Sequence, residues 1–166
     1  MNRVQFLFVL LLAATLFLPF QCKKPAPANQ LPSVQLKDLN GNAVQLSDYH
    51  GKAVIVNFWA TWCGPCRIEI PMLNEIQRKY ASRGLVIVGV STDEDGAASV
   101  KPFLNEIPIH YVNLLKGADT EETFGGIWGL PTNFFYDKSG KQVAKAFGLQ
   151  PREFFEEKIS EMLSAE

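Results

Sequence analysis

Cysteine and histidine are scarce in this chain: cysteine stands only at positions 22, 63 and 66, and histidine only at 50 and 110. So few cysteines exclude a small disulfide-stapled scaffold. They also exclude an ordinary zinc site, which needs about four ligands, commonly two cysteine pairs or one pair with histidines at fixed spacing. An excess of charge is missing as well. The 16 basic and 17 acidic side chains leave a net charge of -1, so nothing electrostatic points to nucleic acid as a partner. From Ser33 onward there is neither an internal repeat nor a low-complexity segment. The 166 residues are 47% hydrophobic and 20% charged, enough for a single fold with a sizeable core.

What is present begins with a long apolar run. Residues 1–22, MNRVQFLFVLLLAATLFLPFQC, carry one arginine at position 3 and then an apolar stretch from Val4 to Phe20, broken only by Gln5 and Thr15. Its length falls between the apolar region of a signal peptide and a bilayer-spanning helix of about 20 residues, and both readings put the rest of the chain outside the cytoplasm. A buried core helix fits poorly, because the run has no polar face and Lys23-Lys24-Pro25 ends it abruptly. Cys22 stands where a bacterial lipoprotein carries the cysteine that is lipidated after cleavage. Pro19, Phe20 and Gln21, however, occupy places where a usual lipobox has leucine and small residues. A lipidated Cys22 and an uncleaved helical anchor are both open. Residues 23–33, KKPAPANQLPS, hold prolines at 25, 27 and 32 and read as an extended spacer.

The remaining residues, 34–166, are expected to form one α/β domain. SVQLKDL and NAVQLSDY alternate apolar and polar residues around Asn40-Gly41, which predicts a hairpin with a type I′ turn. Ala53 to Trp59, AVIVNFW, reads as a central strand covered on both faces, and LVIVGVS at 85–91 as a second. Between them Ile68, Met72, Leu73, Ile76 and Tyr80 recur at helical spacing, with a kink expected at Pro71. A helix from about Asp95 to Glu106, a strand at Tyr111 to Leu115 and a short acidic helix at Asp119 to Phe124 follow. Strands at 132–137 and 141–147 come next, then a last helix with Pro151 at its first position. The order predicts a mixed central sheet with helices on both faces.

Within this frame NFWATWCGPCRIEIP places two cysteines two residues apart, after a strand and at the start of a helix. A structural disulfide there would close a very short loop, which constrains the unfolded chain least. Redox exchange accounts for the position better. A thiolate at a helix N-terminus faces unpaired N–H groups and the positive end of the helix dipole, which lowers its pKa near neutrality. Cys63 is then the attacking cysteine. Cys66, one turn further on and more shielded, is the resolving one.

The assembly of WCGPC behind a buried FWA strand, followed far downstream by a Pro-Thr dipeptide opening a strand, resembles the thioredoxin fold. It looks most like the membrane-attached, extracytoplasmic TlpA/ResA/CcmG-type thioredoxins. The shared features are Glu69 three residues after the second cysteine with Pro71 beyond it, a hairpin before the active-site strand, and a strand-helix insertion ahead of the proline loop. The resemblance implies that Pro131 is a cis-proline facing the cysteines, within Gly129-Leu130-Pro131-Thr132. Leu130 and Thr132 would then help to dock a substrate backbone, whereas in isolation a proline there would only open a strand. Gly64 and Pro65 between the cysteines resemble the reducing members of the superfamily. Trp62 and Trp128 would border the site as apolar docking surface, with a core role for Trp128 equally open. Where thioredoxins have a buried aspartate in the active-site strand this chain has Asn57. Glu69 is therefore the candidate proton carrier for Cys66, the alternative being an exposed surface glutamate.

Three positions depart from the family pattern. Gly64 stands where ResA-type proteins have an acidic residue, and Gly125 and Ile127 replace the tyrosine and valine of the usual proline-loop motif. The function implied is a membrane-tethered thiol-disulfide oxidoreductase, a reductase of protein disulfides fed by a membrane thiol relay. Apocytochrome c, with its CxxCH disulfide, is the leading substrate. No cofactor, metal or nucleic acid is expected, and the expected state is a monomer. The rivals are a thiol peroxidase, a disulfide-donating oxidase and a metal carrier. The residue seven before Cys63 is Val56, and Thr61 lies two before it, which does not match a Pro-x-x-x-Thr-x-x-Cys peroxidase context.

Overall fold

The computed structural model describes residues 29–165. The expected signal or anchor at 1–22, with Cys22, lies outside the described residues, as does most of the spacer. Among the described residues no helix is long and apolar enough to cross a membrane.

Seven strands, β1 (Gln35–Asp38), β2 (Ala43–Gln45), β3 (Ala53–Trp59), β4 (Leu85–Ser91), β5 (Val112–Leu115), β6 (Thr132–Tyr136) and β7 (Gln142–Phe147), form one sheet in the order β2-β1-β5-β4-β3-β6-β7. The helices are α1 (Gly64–Tyr80), α2 (Ala97–Glu106), α3 (Thr120–Thr123) and α4 (Arg152–Ser164). The pairs β3/β4 and β4/β5 are parallel and the other neighbours antiparallel. Stepping from β3 to β4 to β5 moves in one direction across the sheet, so right-handed crossovers put α1 and α2 on the same face.

The side-chain alternation of β3 defines the two faces. Val54, Val56 and Phe58 point to one, where Leu31, Leu46 of a short 3-10 turn and Phe124 just after α3 cover them. Ala53 and Ile55 point to the other, under Leu73, Ile76 and Tyr80 of α1 and Phe155, Ile159 and Met162 of α4. Further along that face Trp59 stacks on Phe103 of α2 at 5.1 Å between ring centroids. Helices thus lie on both faces of a mixed sheet, but three of the four share one side.

Several expectations are corrected in detail. The β1/β2 hairpin is present, but among the described residues none other than glycine has positive φ, which excludes the type I′ turn. Asp38 accepts from the N–H groups of Asn40 and Asn42 through its side chain, and from Gly41 N through its carbonyl. The result is a three-residue loop closed by Gly41 at φ 87°. Helix α1 holds Pro71 within its length, and it is the buried stripe of this helix that differs from expectation. Its buried stripe runs through Cys66, Glu69, Ile70, Leu73 and Ile76, whereas Ile68 is exposed. Positions 66, 69/70, 73, 76 and 80 share a face at 3.6 residues per turn, and 68 falls well off it. Pro151 occupies the N-cap of α4 rather than its first turn. Of the expected spacer, residues 29–31 run beside the start of β7: Asn29 O accepts from Gln142 N, Gln30 bridges to Lys141, and Leu31 enters the core.

Candidate active site

The site lies at the C-terminal end of β3. Beyond Trp59 the chain turns through Ala60-Thr61-Trp62 and begins α1, with Cys63 as its N-cap and Pro65 in its first turn, where the missing N–H costs nothing. Cys63 and Cys66 are joined by a disulfide with their Cα atoms 5.2 Å apart. The backbone N–H of Cys66 donates to the Cys63 sulfur at 3.2 Å. The sulfur at 63 therefore takes the place of a capping oxygen, one of the few partners an N-terminal N–H can find. Cys63 is 4% exposed and Cys66 1%. Gly64 and Pro65 are exposed at the surface.

The turn carrying these residues is anchored by Asp93, just past β4. Its carboxylate accepts from Thr61 N at 3.0 Å, from Thr61 Oγ1 at 2.6 Å and from Ser91 Oγ at 2.8 Å. Arg67 holds the other side, donating to Thr61 O while its guanidinium lies over the Phe103 ring. Sequence reading missed Asp93 and Thr61; a polar Ser-Thr-Asp run at the end of a buried strand was the available signal.

Across from the cysteines the Leu130–Pro131 peptide bond is cis. Leu130 packs against the cluster of Trp59, Ala60, Cys63, Cys66 and Ile70, which brings the proline loop to the disulfide. Thr132 is buried, pairs with Phe58 and donates from Oγ1 to Gly129 O at 2.7 Å, tightening that loop. Pro131 O accepts from Gly148 N, tying the loop to the end of β7.

Around this centre sit five exposed large apolar side chains: Trp62 at 72% and Trp128 at 89%, with Ile68, Phe147 and Leu149. Trp128 is therefore at the surface and not in the core. Its ring rests over Gly126, where an added Cβ would lie 3.3 Å from Nε1 and φ is +89°. Ile68, Phe147 and Leu149 were not anticipated from the sequence. Ile68 and Leu149 line a groove with Glu69, Met72, Gln150, Pro151 and Arg152.

Glu69 is 1% exposed and projects from α1 onto the sheet. Its Oε1 accepts from Asn57 Nδ2 and from Asn133 Nδ2, each at 3.0 Å, and Asn57 Nδ2 also donates to Asn133 Oδ1 at 2.8 Å. Burial pushes the Glu69 carboxyl up to about 7, against the opposing pull of the Asn133 and Asn57 amides. The backbone N–H of Gln150, outside hydrogen-bonding geometry, adds a weaker pull in the same direction. A buried carboxyl that titrates near neutrality, one turn beyond the second cysteine, can take a proton from that thiol and return it. Asn133 was missed in the sequence.

Comparison with known proteins places these features in a wide group. Residues 27–161 match the AhpC/TSA family. A thiol-disulfide oxidoreductase ResA from Bacillus thuringiensis subsp. konkukian is 37% identical over 134 residues, covering 80% of this chain and 76% of that protein. The thiol:disulfide interchange protein DsbE of Pseudomonas aeruginosa is 36% identical over 140 residues, covering 82% and 72% respectively. Among solved structures, a thioredoxin-family thiol:disulfide interchange protein from Chlorobium tepidum superposes with a TM-score of 0.74 at 33% identity, covering 84% of this chain and 99% of that one.

Proposed function

The chain belongs to the AhpC/TSA family, in its TlpA/ResA/CcmG-like thioredoxin branch, and is a thiol-disulfide oxidoreductase of the ResA/DsbE type; from that premise we propose that it reduces disulfides in proteins outside the cytoplasm while tethered to a membrane. The observation that carries the reading is the Cys66 N–H directed at the Cys63 sulfur at the start of α1. That donor and the helix dipole favour a thiolate at 63 over one at 66.

In the proposed cycle the Cys63 thiolate attacks one sulfur of a substrate disulfide. A mixed disulfide forms, and the other substrate sulfur leaves as a thiolate. Cys66 gives its proton to the Glu69 carboxylate, and its thiolate attacks the Cys63 sulfur. The bond to substrate breaks, the second substrate sulfur leaves, and two electrons have passed from the pair to the substrate. The oxidised Cys63–Cys66 pair is then reduced by a thiol relay in the membrane. Leu130, Pro131 and Thr132 offer backbone for the substrate chain, Trp62 and Trp128 offer apolar surface, and Gly64-Pro65 leaves the rim between the cysteines open.

Attachment by residues 1–22, through a lipidated Cys22 or a retained helix, with residues 34–166 as the working domain, fits the position of the described N-terminus. Gln30 meets the start of β7, next to the Val54–Tyr136 end of the sheet, whereas the cysteines follow Trp59 at the other end, about 20 Å away along seven residues of strand. The site would face away from the membrane. Apocytochrome c is the proposed substrate, in cytochrome c maturation, and the working form is proposed to be a monomer without cofactor or metal.

The test is the reduction potential of the Cys63/Cys66 pair in the full-length chain, equilibrated in thiol buffers. A value at or below about -240 mV is expected. A value of about -120 to -180 mV would overturn the reductase direction and recast the protein as a disulfide donor.

A further inference from the structure

Six buried side-chain polar atoms find no partner among the described residues: Asn57 Oδ1, Trp59 Nε1, Glu69 Oε2, Tyr111 OH, and both Nδ2 and Oδ1 of Asn113. They lie on one face of the sheet. Strand register aligns Asn133, Asn57, Gly89 and Asn113 in a single row across β6, β3, β4 and β5, and residues paired in this way point to the same side. An unpartnered buried polar atom costs about 1–3 kcal/mol, so two of them on residues already joined by a hydrogen bond call for an explanation.

The pair in question is Asn57 and Glu69. The orientation of both amides is fixed by the network. Turning Asn57 over would set its oxygen against Glu69 Oε1 and Asn133 Oδ1, two acceptors. Turning Asn133 over would set its nitrogen against the nitrogen of Asn57. Asn57 Oδ1 is therefore a bare acceptor, and Glu69 Oε2 is a bare oxygen on the carboxyl that Asn57 Nδ2 already contacts. A carboxylate leaves both without a partner, whereas a carboxylic acid protonated on Oε2 supplies the one missing donor.

We propose that Asn57 and Asn133 are positioning residues that, in the oxidised protein, hold Glu69 as a neutral acid with its proton on Oε2, directed to Asn57 Oδ1, while Oε1 is occupied by the two amide N–H groups. This deepens the reading of Glu69 as the proton carrier and rests on it only for its catalytic meaning. Oε1 is committed to the sheet, so Oε2 alone is left to exchange a proton with Cys66. The titratable groups facing this carboxyl are Cys66 on its own helix, the Tyr111 phenol from beside β5, itself pushed up by burial and then by the Glu69 charge, and Arg152 across the groove at the start of α4. Arg152 is already paired with Glu75.

The two amides differ in a way that separates this role from simple packing. Asn133 only donates to Glu69, so Asn133→Leu removes a pull toward the carboxylate and should raise the pH at which the carboxyl ionises. Asn57 both donates to Oε1 and accepts from the acid, so Asn57→Leu removes two opposing effects and should leave that pH close to wild type. The experiment is an infrared titration of the buried carboxyl in the oxidised full-length chain, with the band assigned by its disappearance in Glu69→Gln. A clear upward shift is expected in Asn133→Leu and little net shift in Asn57→Leu. An upward shift in Asn57→Leu as large as that in Asn133→Leu would overturn the proposal.

A second measurement needs no variant at the two asparagines. In the wild-type chain the side-chain carbonyl of Asn57, and not that of Asn133, should lose a hydrogen bond in step with Glu69 ionisation. An Asn57 carbonyl unchanged across that titration would overturn the proposal equally. The catalytic reading is tested separately by the pH profile of substrate release in Glu69→Gln. An unaltered profile there removes the proton-carrier role and leaves the clamp standing.

Discussion

The two faces of β3 are built from the same seven residues and solve different problems. On one side Val54, Val56 and Phe58 meet Val88, Val90, Leu114, Phe124 and Phe134, and no buried polar atom there lacks a partner among the described residues. On the other side Ile55 continues an apolar core under α1 and α4. One step further, at Asn57, the layer becomes polar: Asn133, Glu69, Gly89 and Asn113 lie there with Trp59 and Tyr111, and all six unpartnered atoms lie among them. The first face holds the fold together by burial and shape. The second gives up part of that stabilisation within one turn of the disulfide, where a titratable group can act on sulfur.

The comparison is most severely tested on the apolar face. Phe58 is fully buried and meets Phe124 and Phe134 edge to face, with ring centroids 4.9 and 5.8 Å away. Phe58→Ala is expected to cost about 3–5 kcal/mol through lost burial and the cavity left behind. Because the ring points away from the cysteines, the potential of the pair should stay within about 30 mV of wild type. Denaturant unfolding and thiol-buffer equilibration measure the two quantities, and a larger change in potential would break the division between the faces.

The polar face should reveal itself through pH. Glu69 is raised from 4.5 to about 7 in the folded chain, so between those values the native state holds a proton that the unfolded state has lost. Stability from this group is complete below about pH 4.5 and falls as pH rises through about 7. The loss is about 3 kcal/mol for a shift of this size. Unfolding free energies at pH 4 and pH 8 should therefore converge in Glu69→Gln relative to wild type. Equal pH dependence in the two proteins would mean that the carboxyl ionises without penalty and that the second face is not specialised.

How far the sequence displays this division depends on the distance over which each feature is set. AVIVNFW reads as a central strand because its burial is a local property of composition, and the Cys63/Cys66 pair reads as a redox site because its chemistry needs only a helix start and a three-residue spacing. The turn at Asn40-Gly41 is local too, yet it was misjudged, because the Asp38 side chain, binding two downstream N–H groups, selects a longer loop. Glu69 and Ile68 exchange the places that hydrophobicity alone would give them. A charged residue at a buried helical position becomes intelligible only when Asn57 and Asn133, 76 residues apart in the chain, are brought side by side. Asp93 is legible for the same reason only once β4 ends beside the Ala60-Trp62 turn.

The smallest effect on stability, and a sharp one on function, is expected at the rim where the two faces meet the solvent. Trp62 and Trp128 are mostly exposed, so removing either indole should leave unfolding free energy within about 0.5 kcal/mol. Their place beside Cys63 and the Leu130–Pro131 loop gives them a different importance. An exposed indole buried by a docked polypeptide becomes an interface anchor, and losing it costs about 1 kcal/mol or more of binding. Trp128→Ala should therefore raise KM for a protein disulfide about fivefold while leaving turnover of a small-molecule disulfide unchanged. Parallel kinetics on the two substrates separate docking from chemistry. If both substrates slow together, Trp128 would belong with the groups that act on the sulfur; if only the protein substrate suffers, specificity is held in exposed apolar surface and reactivity in the buried polar row beneath it.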